Sequence, residues 1–106
     1  MIRLLLPSRY LDEVYAKGIH VVLLHTGDRL FKKSLVELDL LDRRLNDKEQ
    51  IYLWECKIKT EADCIAVQAC RYPQVRFFIN GSEKRSRLGV MSSKELLDQI
   101  HILENL

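Results

Sequence analysis

The feature that most constrains the fold is a continuous apolar run, H-V-V-L-L-H, from His20 to His25. A strand with one solvated face alternates apolar and polar residues, whereas this run has no polar residue between its two histidines. Such a run is typical of a strand covered on both faces, at the centre of a parallel or mixed sheet. The rest of the chain is therefore expected to provide helices that cover the sheet.

A hairpin is predicted near the carboxyl end of the chain. Val75, Phe77 and Ile79 alternate with other residues and are β-branched or aromatic, which favours a strand. Asn80-Gly81 follows, and both residue types tolerate the positive φ angles that a tight primed turn requires. After the hairpin, Ser92 and Glu95 form a capping-box pattern that opens a helix. Its apolar stripe consists of Leu96, Leu97, Ile100 and Leu103.

Earlier segments predict the remaining elements. The chain has 106 residues, which is enough for one hydrophobic core, so we expect a single domain over 1–106. Thr60 and Asp63 favour the start of a helix that continues to Cys70 and carries Ile65 on its inner face. The full order is β-α-β-α-β-α-β-β-α. The segments before the hairpin are strands over 2–6, 20–25 and 51–58 and helices over 8–17, 29–45 and 60–70.

This order resembles the thioredoxin-like superfamily along the full length of the chain. The carboxyl-terminal part has the family's proline, hydrophobic strand, Asn-Gly or Asp-Gly turn, strand ending in glycine, and Ser-Lys helix start. The matching residues are Pro73, Phe78, Asn80, Gly81, Gly89, Ser92 and Lys94. The resemblance implies an α/β, thioredoxin-like fold with a central mixed sheet flanked by helices. It also implies a cis Tyr72-Pro73 bond, because the family's proline is cis.

The family's active site is missing from the matching position. Thioredoxins have W-C-G-P-C-K where the central strand meets its helix, and here His25 to Lys33 contains no cysteine. Dithiol-disulfide exchange needs an attacking and a resolving thiol, so we expect no catalytic residue and no enzyme activity at this position. His25, Thr26 and Asp28 are interpreted as a strand end and a helix cap rather than a catalytic cluster.

The resemblance therefore implies a redox-inactive member that binds proteins as an adaptor or chaperone. The expected binding surface is the groove beside the cis-proline loop. Its predicted residues are Thr26, Gly27, Asp28, Arg29, Phe31, Tyr72, Pro73 and Gly89. The partner is expected to be a protein of unknown identity, and a homodimer is a further alternative.

Three cysteines leave a second function open. Cys56, Cys64 and Cys70 form no C-x-x-C pair and are interpreted as buried free thiols. Six residues of helix span about 9 Å, so a Cys64–Cys70 disulfide would require the helix to end early. The alternative is a thiol-dependent enzyme or redox protein that uses a single cysteine, Cys70 or Cys56. Cys70 is the possible reactive thiol because it lies close to Pro73.

Composition excludes several other classes. The 17 basic and 15 acidic residues nearly balance, which argues against a nucleic-acid partner. Apolar runs are too short for a membrane span, and the cytoplasm is the expected location. The scattered Cys and His residues predict no metal site and no cofactor. A basic region on the last hairpin, interpreted as a solvated face or an acidic-partner surface, consists of Arg71, Arg76, Lys84, Arg85 and Arg87.

Overall fold

The computed structural model describes residues 1–46 and 48–106. Five strands and four α-helices follow one another in the predicted order, with a short 3-10 helix, Pro7–Arg9, before the first α-helix. The strands are β1 (Ile2–Leu4), β2 (Ile19–His25), β3 (Ile51–Lys57), β4 (Gln74–Ile79) and β5 (Ser82–Leu88). The helices are α1 (Tyr10–Val14), α2 (Arg29–Leu45), α3 (Glu61–Val67) and α4 (Ser93–Glu104).

The strands form one mixed sheet in the order β1-β3-β2-β4-β5. β3 pairs parallel with both β1 and β2, whereas β4 runs antiparallel to β2 and to β5. All seven residues of the central strand β2 are buried. This confirms an α/β architecture in which a mixed sheet is covered on both faces. No helix of the described residues is long and apolar enough to cross a membrane.

The sheet separates two hydrophobic cores. Because successive side chains of a strand point to opposite faces, Val21 and Leu23 join one core while Val22 and Leu24 join the other. The first core includes residues of α2 and α4, and the second includes residues of α1 and α3. Phe77 and Phe78 are both fully buried although they are adjacent, since each enters a different core.

Local signals placed the starts of α2, α3 and α4 and the tight turn correctly, whereas the helix predicted over 8–17 is a 3-10 helix, Pro7–Arg9, followed by the short α1, Tyr10–Val14. Asp28 Oδ1 accepts a hydrogen bond of 3.1 Å from the Phe31 amide and caps α2. Complete capping boxes open α3 at Thr60 and α4 at Ser92. The Asn80-Gly81 turn has φ values of 50° and 83°, which is the primed geometry that the residue types predicted.

The end of α3 and the exposure of Ile65 and Arg76 differ from the expectations. α3 ends at Val67 rather than at Cys70, and Ile65, expected inside, is exposed. Gln68 adopts a left-handed conformation with φ of 55°, which reverses the chain. Arg76, expected in a solvated basic region, is only 8% exposed. Its guanidinium points into the second core, where it binds the end of α3.

His20 is a buried histidine whose two ring nitrogens are both satisfied. Nδ1 accepts a hydrogen bond of 3.0 Å from Trp54 Nε1, an atom that can only donate. Nε2 therefore carries the proton and donates to the Lys17 carbonyl oxygen over 3.2 Å. Burial lowers the pKa of His20 below its ordinary value of 6.5. The neutral imidazole is thus the form that the folded protein selects.

We expect the protein to lose stability as the pH falls from about 7.5 to about 5.5. The unfolded chain takes up a proton at His20 near its ordinary pKa, whereas the folded state resists protonation because its pKa is lowered. The His20 contribution is therefore complete above the unfolded pKa and declines as the pH falls toward the folded one. Urea unfolding at both pH values measures the effect.

A matched pair of variants assigns this pH dependence. His20→Gln keeps an acceptor for Trp54 but does not titrate, so its unfolding midpoint should vary less with pH than that of the wild type. His101→Gln is the control for removing a histidine from the protein surface. Equal pH dependence in the wild type and His20→Gln would contradict the assignment.

Candidate functional site

The predicted groove segments meet at one edge of the sheet, where β2 and β3 end. Leu24 pairs with Gln74, which places the end of β2 beside Pro73 at the start of β4. The Gly89 amide donates a hydrogen bond of 2.9 Å to the Pro73 carbonyl oxygen. The Tyr72-Pro73 bond is cis, as the resemblance implied. We call this region, residues 26–31 with Tyr72, Pro73 and Gly89, the loop edge.

The exposed part of the loop edge is the turn between β2 and α2. Thr26, Gly27, Asp28 and Arg29 are all exposed. Gly27 has φ of 83°, and a Cβ atom there would lie 3.0 Å from Cε of Lys57. Glycine at this position therefore permits both the turn and the close approach of the Lys57 side chain. Two cations therefore lie at this edge, Arg29 in the turn and Lys57 at the end of β3.

A buried histidine lies beneath this turn. His25 is 1% exposed, and its ring stacks on Phe31 with centroids 3.6 Å apart and planes 11° apart. Nε2 is 3.6 Å from Glu55 Oε1, which is too long for a hydrogen bond, and neither ring nitrogen has a partner among the described residues. Burial lowers the pKa of His25, and the Glu55 carboxylate opposes that shift. The stacked, neutral ring supports the first turn of α2.

Three of the predicted groove residues contribute little free surface. Pro73 is buried and Phe31 is half-buried against His25. Tyr72 is half-buried, packs against the second core, and has its hydroxyl oxygen 2.7 Å from the Ala69 carbonyl oxygen. Tyr72 and Phe31 therefore position the loop edge, while the exposed apolar groups at this edge come from other residues.

Apolar hollows border the loop edge on two sides. One, of about 380 Å³, lies between the end of β1, the end of β3 and the start of α3. Leu4 and Leu6 on its wall are 67% and 57% exposed. Its charged lining residues are Glu55, Lys57, Lys59 and Asp63. The other, of about 550 Å³, lies between α2 and the segment that follows β5. Its lining residues are Lys33, Val36, Glu37, Val90, Ser92 and Glu95.

Sequence reasoning missed these apolar residues, although one signal pointed to Val36. Leu30 and Val36 are exposed because they lie outside the apolar stripe that α2 turns toward the sheet. A leucine and a valine outside the inner stripe of α2 therefore indicate an apolar patch on its outer surface. Leu4 and Leu6 gave no comparable signal, because a strand had been expected over 2–6, whereas β1 ends at Leu4.

The three cysteines differ in environment. Cys56 is fully buried, and desolvation raises the pKa of its thiol to about 12, so it is an unreactive core residue. Cys64 is half-buried and Cys70 is exposed. The expectation of buried free thiols is thus correct for Cys56 and wrong for Cys70. Among residues 1–46 and 48–106, no group of three or more His, Cys, Asp or Glu side chains is placed to hold a metal ion.

Comparison with known proteins adds no family assignment. The chain matches no protein-family model and has no significant match to a curated protein. The function is therefore argued from the loop edge and its surroundings.

Proposed function

We propose that this chain is a thioredoxin-like protein without the family's dithiol, and that it binds proteins as an adaptor or chaperone through the loop edge. The mixed sheet, its antiparallel terminal hairpin and the capped last helix support the fold assignment. Ligands of open α/β sheets bind beyond the carboxyl ends of the strands, and the loop edge lies at the carboxyl ends of β2 and β3.

One observation carries the binding function. The turn that replaces the family's C-x-x-C segment is exposed, Arg29 of the turn and Lys57 at the end of β3 lie at the same edge, and hollows with apolar walls lie on either side. Exposed apolar groups beside a polar rim are typical of protein-binding surfaces, where buried anchors supply affinity and the rim supplies specificity. A partner segment that crosses the turn would place apolar side chains in the hollows. Its acidic groups would face Arg29 and Lys57.

The alternative function is a thiol-dependent enzyme or redox protein. The exposure of Cys70 favours this alternative, whereas Cys56 is too deeply buried to serve it. The position of Cys70 beyond the end of α3 keeps it away from the positive end of a helix, where reactive thiols are usually activated. Homodimer formation and a cytoplasmic location stay predictions.

Binding through the loop edge is tested by site-specific cross-linking. A photoreactive benzoylphenylalanine replaces Thr26 in one variant and Ala16 in a control, both positions being exposed. We expect discrete adducts from cell extract, or with a permanently unfolded carboxymethylated protein, at position 26 only. Adding Arg29→Glu and Lys57→Glu should reduce these adducts at least about tenfold, since charge complementarity directs association. Equal cross-linking from position 16 would contradict the proposal.

A separate assay distinguishes the alternative. In the insulin precipitation assay with dithiothreitol, we expect the protein to give the rate of the reductant alone, because no thiol lies at the start of α2. A faster rate that Cys70→Ser abolishes would support the thiol-dependent enzyme instead.

A further inference from the structure

The early end of α3 places Cys64 and Cys70 on either side of one chain reversal at Gln68. The Ala69 amide donates to the Cys64 carbonyl oxygen over 3.1 Å, and the Gln68 amide donates to the Ile65 carbonyl oxygen over 3.2 Å. This pair of bonds, with Gln68 in the left-handed region, forms a Schellman motif. The chain therefore folds back over Cys64 just before Cys70, which removes the helical spacing of about 9 Å that would separate their Cα atoms.

Tyr72 contacts Cys64 from the segment that contains Cys70. Its hydroxyl oxygen is 2.7 Å from the Ala69 carbonyl oxygen and 3.3 Å from Cys64 Sγ. The hydroxyl has one proton and a carbonyl only accepts, so Tyr72 donates to Ala69 and its oxygen accepts from the Cys64 thiol. Burial raises the pKa of Tyr72, and negative charge at Cys64 or Cys70 adds to that shift. The Cys64 sulfur therefore lies at the Tyr72 hydroxyl, and Cys70 stands two residues before Tyr72 in the same segment.

We propose that Cys64 and Cys70 form a reversible disulfide, with a low-molecular-weight disulfide such as glutathione disulfide as the oxidant. Cys70 is exposed and meets the oxidant first, while Cys64 is half-buried and held in position by Tyr72. The site shares Tyr72 with the loop edge, but the disulfide does not depend on the binding function proposed above. In a reducing compartment the dithiol is the resting form.

The reaction proceeds by two thiol-disulfide exchanges. The Cys70 thiolate attacks glutathione disulfide, forms a mixed disulfide and releases one glutathione thiolate. The Cys64 thiol then loses its proton to water, attacks the Cys70 sulfur and releases the second glutathione thiolate. Both glutathione thiolates take up protons, so two protein thiols and one glutathione disulfide become one protein disulfide and two glutathione molecules.

The proposed disulfide would lie in the segment that leads from α3 to the loop edge. Arg76 donates hydrogen bonds to the Val67 and Gln68 carbonyl oxygens, the latter over 2.8 Å, and anchors the turn to β4. The chain then continues from Cys70 directly into Tyr72 and Pro73. Oxidation would cross-link the segment that joins the end of α3 to the loop edge.

The test uses the full chain, reduced, freed of reductant and treated with glutathione disulfide at low protein concentration. Intact-mass spectrometry after alkylation, with peptide mapping, follows each thiol. We expect the wild type to lose two of its three free thiols through a Cys64–Cys70 linkage, which dithiothreitol reverses. Cys56→Ser, a matched control in the core, should still form the linkage. Cys64→Ser should instead accumulate a glutathione adduct on Cys70.

Specific outcomes would overturn the proposal. One is a wild-type protein that keeps a stable glutathione adduct on Cys70, as Cys64→Ser does, without an internal disulfide. Another is a linkage that involves Cys56 or forms only between two chains. Circular dichroism of each variant before oxidation shows whether it is folded. If Cys64→Ser is unfolded, trapping the wild-type mixed disulfide at early times and following its conversion decides the same point.

Discussion

Replacing Phe77 by alanine should lower the free energy of unfolding by about 3–5 kcal/mol. Phe77 lies on β4, pairs with Val21 of the central strand, and is 1% exposed within the core formed with α2 and α4. Truncation removes the transfer free energy of the ring and leaves a cavity that the neighbouring strands and helices fill incompletely. The loss is a large share of a typical total stability of about 5–15 kcal/mol.

Urea unfolding followed by circular dichroism measures this effect. Lys84→Ala is the matched control, because Lys84 lies on the neighbouring strand β5 with its side chain exposed. Its effect should stay within about 0.5 kcal/mol. If Phe77→Ala shifts the urea midpoint no more than Lys84→Ala does, the register of β4 in the sheet is wrong.

Replacing Arg76 by alanine should cost about 3 kcal/mol or more. The guanidinium donates to the Tyr10 hydroxyl over 2.9 Å and to the carbonyl oxygens of Val67 and Gln68. Without Arg76, these groups stay in a largely dehydrated site, and each unsatisfied buried polar group costs about 1–3 kcal/mol. The same guanidinium also neutralises the negative end of α3, so its loss weakens the turn before Cys70.

Two variants separate this role from a general effect of charge. Arg85→Ala removes an exposed cation from β5 and should change the urea midpoint little. Arg76→Lys keeps the charge but lacks the planar fork that reaches four acceptors, so its stability should lie between those of the wild type and Arg76→Ala. Equal midpoints for Arg76→Ala and Arg85→Ala would show that the buried contacts of Arg76 do not stabilise the fold.

Neighbouring residues alone determined most of the secondary structure. The burial of β2, the bounds of α2, the capping boxes at Thr60 and Ser92, and the Asn80-Gly81 turn all follow from patterns within one segment. Each of these signals acts over a few residues, through side-chain periodicity, a cap hydrogen bond or a permitted φ angle. Such signals can be interpreted without knowing what the rest of the chain does.

The tertiary structure decided where α3 ends, and with it the environment of Cys70. The sequence has no glycine between Val67 and Pro73 to mark a helix end, and Gln68 takes the left-handed position instead. The carbonyl groups at that end accept hydrogen bonds from Arg76 on β4, and Tyr10 of α1 binds the same guanidinium. A polar position on a predicted strand was expected to face solvent, but these distant partners satisfy its hydrogen bonds inside the core, and Glu83 Oε1, 3.6 Å from its Nε, balances its charge.

The candidate site likewise depends on contacts between distant segments. The absence of cysteine between His25 and Lys33 was evident from the sequence, and so were the residues of the turn. That Lys57 lies against Gly27, and that Leu4 and Leu6 stay exposed beside it, follows from the position of β1 and β3 in the sheet. Strand order is set by packing across the whole domain, which a local pattern does not encode. The residues of the turn could therefore be predicted from the sequence, whereas the residues that surround it are determined by the tertiary structure.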